Sequence, residues 1–495
     1  MLNISNYVGG GASLDKKTLK SWTPRHSSAK VEVDGNLNLL RARCSDLVKN
    51  SPLGAAIVST MTAGVVGSGL RIFPRVKGEA VGLSAENARL WNKNAKREFE
   101  LWASNPLHCD FLRRNNFFEL QQIFFSASLV DGDSFCLFKR RLPSAYNPYS
   151  LRLQAIDALR VSNPITIGAG TFTEMIRGNR RIVNGIEFDR NGVMDAIWIA
   201  NRVWDEFDSL NPQLSWQRVR LFGRDTGLRN VLHITKDIRP DQARGIPLLA
   251  PIVESLKQIS RYCDAELSAA IIRSFFSIFF TQKERDRPLN DIVPRAENAR
   301  KDDSPVDVSE FKLSSPSVTS LPCGVDVKAV DSAKNQSSFA EFVSTFIQQS
   351  CAAVGLPAET VLKTFNASYS ASRAAILQSE AEFRQRRNAF INDLLNPVYE
   401  NFLAEAIAIG RIDAPGFFDD PIKKSAWLNA DWQVERTGAL DEVKAANAAV
   451  IRLQNGLSTY ERELAESGQD FDDVVERLRQ ERKIMGGLQD EQVDS

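Results

Sequence analysis

The stretch that most constrains the fold lies at residues 338–410. It opens on SFAEFVSTFIQQSCAAVGLP, where Phe339, Phe342, Val343, Phe346, Ile347, Cys351 and Val354 recur at three- and four-residue spacing and share one helical face. Ser338 with Glu341 three residues on makes a capping-box start, and Gly355 followed by Pro357 supplies a stop. A short polar segment, ETVLKTFNASYSAS, leads into a second helical pattern, SRAAILQSEAEFRQRRNAFINDLLNPVYENFLAEAI. Two long helices flanking a small, mostly uncharged loop form a device that presents the loop to something. The rest of the chain has to say what that is.

Composition narrows the options. At 495 residues the chain has room for about two to four domains. Lys and Arg number 62 against 61 Asp and Glu, a net charge of +1. A protein that grips nucleic acid by neutralising phosphates carries a basic excess, so any contact with DNA is expected to be loose or confined to small patches. Cys44, Cys109, Cys136, Cys263, Cys323 and Cys351 are scattered with no C-x-x-C pair, which argues against a zinc site or a disulfide framework. His26, His108 and His233 leave little material for metal or acid–base chemistry. No basic-then-apolar leader pattern opens the chain, and the most apolar run, 267–280, contains Arg273 and is too short to span a bilayer. A soluble protein without cofactor or metal is expected.

In chain order, the polar segment 1–36 is expected to be a flexible arm. A helical pattern follows from Leu37 and is broken at Asn50-Ser51-Pro52, as when proline enters at a helix start. Gly64, Gly67 and Gly69 resemble a phosphate-binding loop only superficially, since no strand precedes them and no Gly-Lys-Ser/Thr follows; they are taken as a structural turn. Helices are expected at 85–104 and 116–129. A β-rich block comes next: SFCLFKRRL, LRLQAIDALRV, and GIEFDRNGVMDAIWIANRV with the hairpin signal Asn191-Gly192. Asp131 and Asp133 form an acidic pair without a third ligand, taken as a turn. His233, in a strand pattern, is taken as a satisfied half-buried histidine. From about Pro251 to Phe280 a long helix, apolar over much of its circumference, is expected to pack against several neighbours. Residues 281–305 form a charged, Pro-interrupted excursion, and short strands follow before 338. Near the C-terminus two amphipathic helices are separated by Asn455-Gly456, with Asp470 as cap of the last helix.

Several of these segments, in this order, resemble the lambda-like family of tailed-bacteriophage portal proteins. The matching pieces are SDLVKNSPLGAAIVSTMTAGVVGSGLRI, NGIEFDRNGVMDAIWI, VLHITKDIRPDQARGIPLLAPIVESLKQISRYCDAELSAA, CAAVGLPAETVLKTFNASYSASRAAILQSEAEFRQRR and NADWQVERTGALDEVKAANAAVIRLQNGLSTYERELAESGQDFDDVVER. The resemblance implies an α+β, predominantly helical chain of wing, stem, clip and crown that assembles as a ring, usually of twelve subunits. On that scheme 1–36 is an N-terminal arm, 37–240 the wing, 241–280 the first stem helix and 281–337 the clip. Residues 338–357 are the second stem helix, 358–371 the tunnel loop, 372–435 the long radial helix with its return to the wing, and 436–495 the crown and tail.

The resemblance further implies a channel at one capsid vertex through which double-stranded DNA is packaged and ejected. Expected partners are copies of the chain itself, the major capsid protein and scaffold, the terminase large subunit, and head–tail connector or tail proteins; no membrane is involved. The protein is expected in the virion, and in the host cytoplasm during assembly. Lys363, Thr364, Asn366, Ser368 and Tyr369 are the expected DNA-facing residues, although Lys363 also suits a plain solvated lysine. The family's asparagine-tyrosine-serine-serine-x-arginine run appears here as Asn366-Ala367-Ser368-Tyr369-Ser370-Ala371-Ser372-Arg373, with longer spacing from the asparagine and an alanine in place of one serine. Arg373, Arg384, Arg386 and Arg387 are expected in inter-subunit ion pairs, and Arg285, Arg287, Arg295 and Arg300 in motor or tail docking. A balanced charge and a short-side-chain loop suit a conduit, because each fixed phosphate contact would have to break at every step of translocation.

Two other classes compete. A packaging ATPase or nuclease needs a Walker lysine or a carboxylate cluster, and the chain contains no Gly-Lys dipeptide. A head–tail adaptor or capsid assembly scaffold without a DNA path lacks the stem–clip–stem order.

Overall fold

The computed structural model describes residues 17–18, 21–24, 26–164, 174–203, 213–236, 239–274, 278–282, 325–329, 336–365, 368–434, 442–466, 469 and 471–493. The chain divides into two compact units, Met1–Leu256 with Ile347–Ser495, and Lys257–Phe346. Helices are α1 (Leu37–Asn50), α2 (Pro52–Val65), α3 (Gly78–Val81), α4 (Ala85–Ala103), α5 (Pro106–Cys109), α6 (Phe117–Asp131), α7 (Val253–Ser274), α8 (Gln336–Ala353), α9 (Ala358–Leu362), α10 (Tyr369–Phe390), α11 (Asn396–Ala408), α12 (Pro421–Trp427), α13 (Glu442–Gln454), α14 (Tyr460–Glu466) and α15 (Phe471–Val493). Strands are β1 (Arg71–Pro74), β2 (Asp133–Arg140), β3 (Leu151–Ile156), β4 (Glu174–Arg177), β5 (Arg180–Val183), β6 (Ile186–Phe188), β7 (Met194–Ala200), β8 (Trp216–Arg220), β9 (Val231–Thr235), β10 (Ile278–Gln282), β11 (Val325–Ala329) and β12 (Ala430–Gln433). The class is α+β and predominantly helical.

Local signals set many of these boundaries. Ser51 is extended, as a residue before proline must be, and its side chain caps α2 by accepting from the Gly54 N–H. Asn116 and Glu119 form a reciprocal capping box at the start of α6. The β6–β7 turn uses Gly192 at φ +82°, and the Asp189 carboxylate accepts from the Asn191 and Val193 N–H groups.

The larger unit has two cores with a three-stranded antiparallel sheet, order β3-β2-β9, between them. Strand alternation divides its side chains. Cys136, Leu151, Leu153, Leu232 and Ile234 face the helical core, whereas Phe135, Leu137, Ile156 and Val231 face the core of the five-stranded meander β4-β5-β6-β7-β8. In the helical core Phe99 is ringed by Trp102, Phe117, Tyr399, Phe402 and Trp432, with centroids 5.1–5.8 Å apart.

Asp133, at the helix-to-strand junction, ties these layers together. Its fully buried carboxylate takes two bonds from Arg244 (2.6 and 3.0 Å), one from Arg41 (2.6 Å), one from the Gly245 N–H (3.2 Å) and stands 3.0 Å from His233 Nε2. Arg244 also donates to the carbonyls of Ala158, Val161 and Asn184 and lies over the Phe135 ring, on which His233 stacks. Gly132 and Gly245 let the two backbones touch, since a Cβ on Gly245 would run into the Gly132 carbonyl. Burial opposes the Asp133 charge, but Arg244 and Arg41 hold its pKa well below the carboxylate range; burial and Arg244 in turn lower Arg41 to about 10. The expected turn is present, yet this carboxylate is a structural ion centre whose partners had not been foreseen. His233 is satisfied, as expected, and is more buried than the half-buried position expected.

The smaller unit holds the body of α7, the first part of α8 and the antiparallel pair β10–β11. Tyr262 packs against Phe339 and Phe342, which itself meets Phe346. The expected helix to Phe280 is corrected here: α7 stops at Ser274, and Ile278–Gln282 is a strand paired with Val325–Ala329. An unbroken apolar run suits either state, and a cross-strand partner decides it. α7 also leaves Leu267 and Ile271 exposed. No helix among the described residues is long and apolar enough to cross a membrane.

Candidate functional site

The helix–turn–helix order expected at 338–410 is present, with altered boundaries. α8 ends at Ala353, and Pro357 starts a short helix, α9, whose Val361 is buried. Of the expected loop 358–371, residues 358–362 and those from 369 onward are helical, and 363–365 and 368 are the described residues between the two helices. Both ends of the turn are capped. Lys363 takes the left-handed conformation (φ +55°) at the end of α9, a position that usually goes to glycine, and its N–H donates to the Glu359 carbonyl. The Thr364 N–H donates to the same oxygen at 3.2 Å. Ser368 caps α10 by accepting from the Ala371 N–H.

Lys363, Thr364 and Ser368 are exposed, while Asn366 and the side chain of Tyr369 lie outside the described residues. Leu362 and Phe365 flank Lys363 at 44% and 45% exposure. The turn is thus less polar than expected: the Leu362-Lys363-Thr364-Phe365 run itself carries that signal.

The helix behind the turn is locked in place. Thr360 Oγ1 meets Ser379 Oγ at 2.9 Å, which joins α9 to α10. Phe383 lies directly on Gly64 of α2, where an added Cβ would come within 2.6 Å of its Cδ2 and closer still to Cε2 and Cζ. Gly64 is therefore a helix-crossing glycine. One turn further on, Arg387 donates to the Val65 carbonyl at 2.9 Å and the Gly64 carbonyl at 2.7 Å, and pairs with Glu380 at 3.3 Å. A guanidinium there satisfies carbonyls that the end of α2 leaves open and favours its dipole. Past Phe390 the run widens into a π-turn, Ile391–Leu395, closed by the Asn396 N–H on the Ile391 carbonyl. That widening admits Pro397, which has no N–H to give and whose ring would crowd a regular helix. The expected single helix is thus two helices joined by this turn.

Of the arginines expected at a subunit boundary, Arg387 is engaged inside the chain and Arg386 pairs with Glu382 at 2.6 Å. Arg373 and Arg384 are exposed and carry no ion pair among the described residues. Arg285, Arg287, Arg295 and Arg300 lie outside the described residues.

The sequence model described as "Phage portal protein, lambda family" matches residues 15–387, three quarters of the chain, including the capped turn and α10 as far as Arg387. The chain belongs to the lambda family of phage portal proteins. Portal protein B of Escherichia phage lambda is 22% identical over 511 aligned positions, covering 98% of this chain and 92% of that protein. The portal protein of Escherichia phage N15 is 21% identical, covering 97% and 91%. Among solved structures, a chain from the neck of a native GTA particle computed with C12 symmetry is 12% identical with a TM-score of 0.42, covering 87% of this chain and 94% of that one. A chain from the virion of a native gene transfer agent particle gives 12% and 0.41, covering 90% and 94%. The family model and both of these relatives are phage portal proteins, and none of the three is an enzymatic family.

Proposed function

We propose that the chain is the subunit of a ring-shaped channel at one capsid vertex, through which double-stranded DNA is packaged and ejected. The same ring is the platform on which the terminase large subunit and then the connector or tail proteins dock. The observation that carries this reading is the exposed run 363–365, which caps α9, with the exposed Ser368 capping α10 on a helix locked to α2, in a chain of the portal family. A turn set on rigid supports keeps one position while DNA moves past it. One lysine among short polar and apolar groups touches phosphates without holding them.

On this reading 37–240 is the wing, α7 and α8 are the stem helices and α13–α15 the crown. Residues 281–337 are the clip, with Arg285, Arg287, Arg295 and Arg300 as its docking cations. Lys363, Thr364, Asn366, Ser368 and Tyr369 face the DNA; Arg373 and Arg384 serve the subunit boundary. Capsid protein and scaffold contact the outside of the ring.

The test is packaging in a purified system with Lys363→Glu and Lys363→Gly. Glycine keeps the left-handed cap and removes the side chain with its charge, so it separates the backbone's part from the side chain's. Lys363→Glu is expected to lower packaging several-fold and Lys363→Gly less, while native mass spectrometry still returns a closed multiple of the 55.2 kDa chain. Unaltered packaging by both variants removes the turn from the mechanism. Assemblies without an axial opening of about 20 Å, the width a duplex needs, would instead favour an adaptor or scaffold.

A further inference from the structure

The three C-terminal helices are attached unlike the rest of the larger unit. Its buried apolar residues run from Ala29 to Trp432, and none of the described residues of α13–α15 is among them. Ion pairs and half-buried apolar side chains, among them Leu464, Phe471, Val474 and Val475, make the attachment instead. Arg75 pairs with Glu461 of α14 and, at 3.4 Å, with Asp431. Lys93 of α4 lies 3.0 Å from Glu476 of α15, both side chains 57% exposed. The Arg89 guanidinium stands 6.0 Å from the centroid of the Phe471 ring.

Between these elements lies a cavity of about 490 Å³ lined by Arg75, Arg89, Lys93, Lys96 and Arg97, with Glu100 and Glu461 as its carboxylates. Arg89, Lys93, Lys96 and Arg97 stand at i, i+4, i+7 and i+8, one stripe of α4. Like charges at that spacing repel and weaken the helix that carries them. A chain with a net charge of only +1 has concentrated cations on this one face, with Lys96 also lying over the Phe73 ring and Arg97 donating to Asn94.

We infer that this stripe, with Arg75, is a binding surface for the phosphate backbone of duplex DNA, and that Glu461 and Glu476 occupy it as exchangeable counter-ions. The choice of DNA as the polyanion rests on the channel reading above; the surface itself stands on the stripe, the cavity and the weak carboxylate cover. From Arg89 to Arg97 the stripe is about 12 Å long, a length along which a duplex spaces about seven phosphates. Exposed pairs such as Lys93–Glu476 contribute about 0–1 kcal/mol and fade with salt, and only half-buried apolar side chains such as Phe471, Val474 and Val475 stand against their exchange for phosphate. DNA bound here would compete with α14 and α15 for α4, so the position of the C-terminal helices would follow DNA occupancy.

The test is fluorescence anisotropy of a labelled duplex of about 30 base pairs with the full-length protein at 50 to 200 mM salt. Wild type is expected to bind at 50 mM, with a steep salt dependence. Arg89→Glu/Lys93→Glu/Arg97→Glu is expected to lose at least about tenfold in affinity, and its log–log salt slope to flatten by about 3, at about 0.9 per phosphate contact. Glu461→Gln/Glu476→Gln, which removes the competing carboxylates, is expected to bind several-fold tighter. Circular dichroism checks folding, and Arg89→Gln/Lys93→Gln/Arg97→Gln replaces the charge-reversed variant if that one misfolds. The inference is overturned if wild type shows no binding at 50 mM, if the reversed or neutralised stripe binds like wild type, or if the glutamine pair leaves affinity unchanged. Lys363→Glu separates the two readings: loss of duplex binding in that variant alone would assign the contact to the turn, refuting the stripe and leaving the channel reading intact.

Discussion

Gly64→Ala sets two effects of opposite sign against each other at the crossing that holds α10. Gly64 lies in the last turn of α2, where alanine is favoured over glycine by up to about 0.8–1 kcal/mol, the helix-interior value. In this fold the new methyl meets the Phe383 ring, with Cδ2 2.6 Å away and two further ring carbons nearer, whereas carbon contacts settle at about 3.5 Å. The ring is 7% exposed and has little room to turn. Sliding α10 outward would stretch the Arg387 bonds to the Gly64 and Val65 carbonyls, each worth about 1.5–3 kcal/mol as a charge-assisted bond. Overpacking costs about 1–3 kcal/mol, so with strain on those bonds Gly64→Ala is expected to destabilise by about 1–2 kcal/mol net. In a Phe383→Ala background the clash is gone and the same substitution is expected to stabilise by about 0.5–1 kcal/mol, a coupling of about 2 kcal/mol. Urea unfolding followed by tryptophan fluorescence reads the correct unit, because all eight tryptophans lie in the larger one. Stabilisation by Gly64→Ala in the wild-type background, or a coupling near zero, would refute the crossing as described.

Asp133→Asn leaves Arg41 and Arg244 buried without their counter-charge and should cost about 3–5 kcal/mol in the same urea assay; a loss below about 1 kcal/mol would mean the ion centre is dispensable. Asp131 behaves oppositely: burial, with Asp157 and Asp133 nearby, raises its pKa from 3.8 to about 6 despite Arg41. The native state then keeps a proton that the unfolded chain has released, so stability falls as pH rises from about 4 to about 6. Asp131→Asn should therefore exceed wild type by up to about 3 kcal/mol at pH 8, at about 1.4 kcal/mol per pH unit, with the gap closing below about pH 4. A gap independent of pH would show that the ionised carboxylate is not what destabilises the fold.

Much of the fold was legible because its causes are local. The break at Ser51-Pro52, the box at Asn116 and Glu119 and the turn at Asn191-Gly192 each act within a few residues, so spacing alone exposes them. The candidate site was legible in part. The place of the turn followed from the helices on either side, but the length of α9 and the exposure of Leu362 and Phe365 depend on which faces find cover. The sequence by itself determined the charge balance, the helix–turn–helix order of 338–410 and, through its family pattern, membership among portal proteins. Tertiary structure alone decided that Asp133 is gripped by Arg41, His233 and Arg244, that Arg387 caps α2, and that Ile278–Gln282 is a strand. In each of these cases the partner lies far along the chain. A charge, an open carbonyl or a strand edge states what it needs, and only the folded chain supplies the group that meets it.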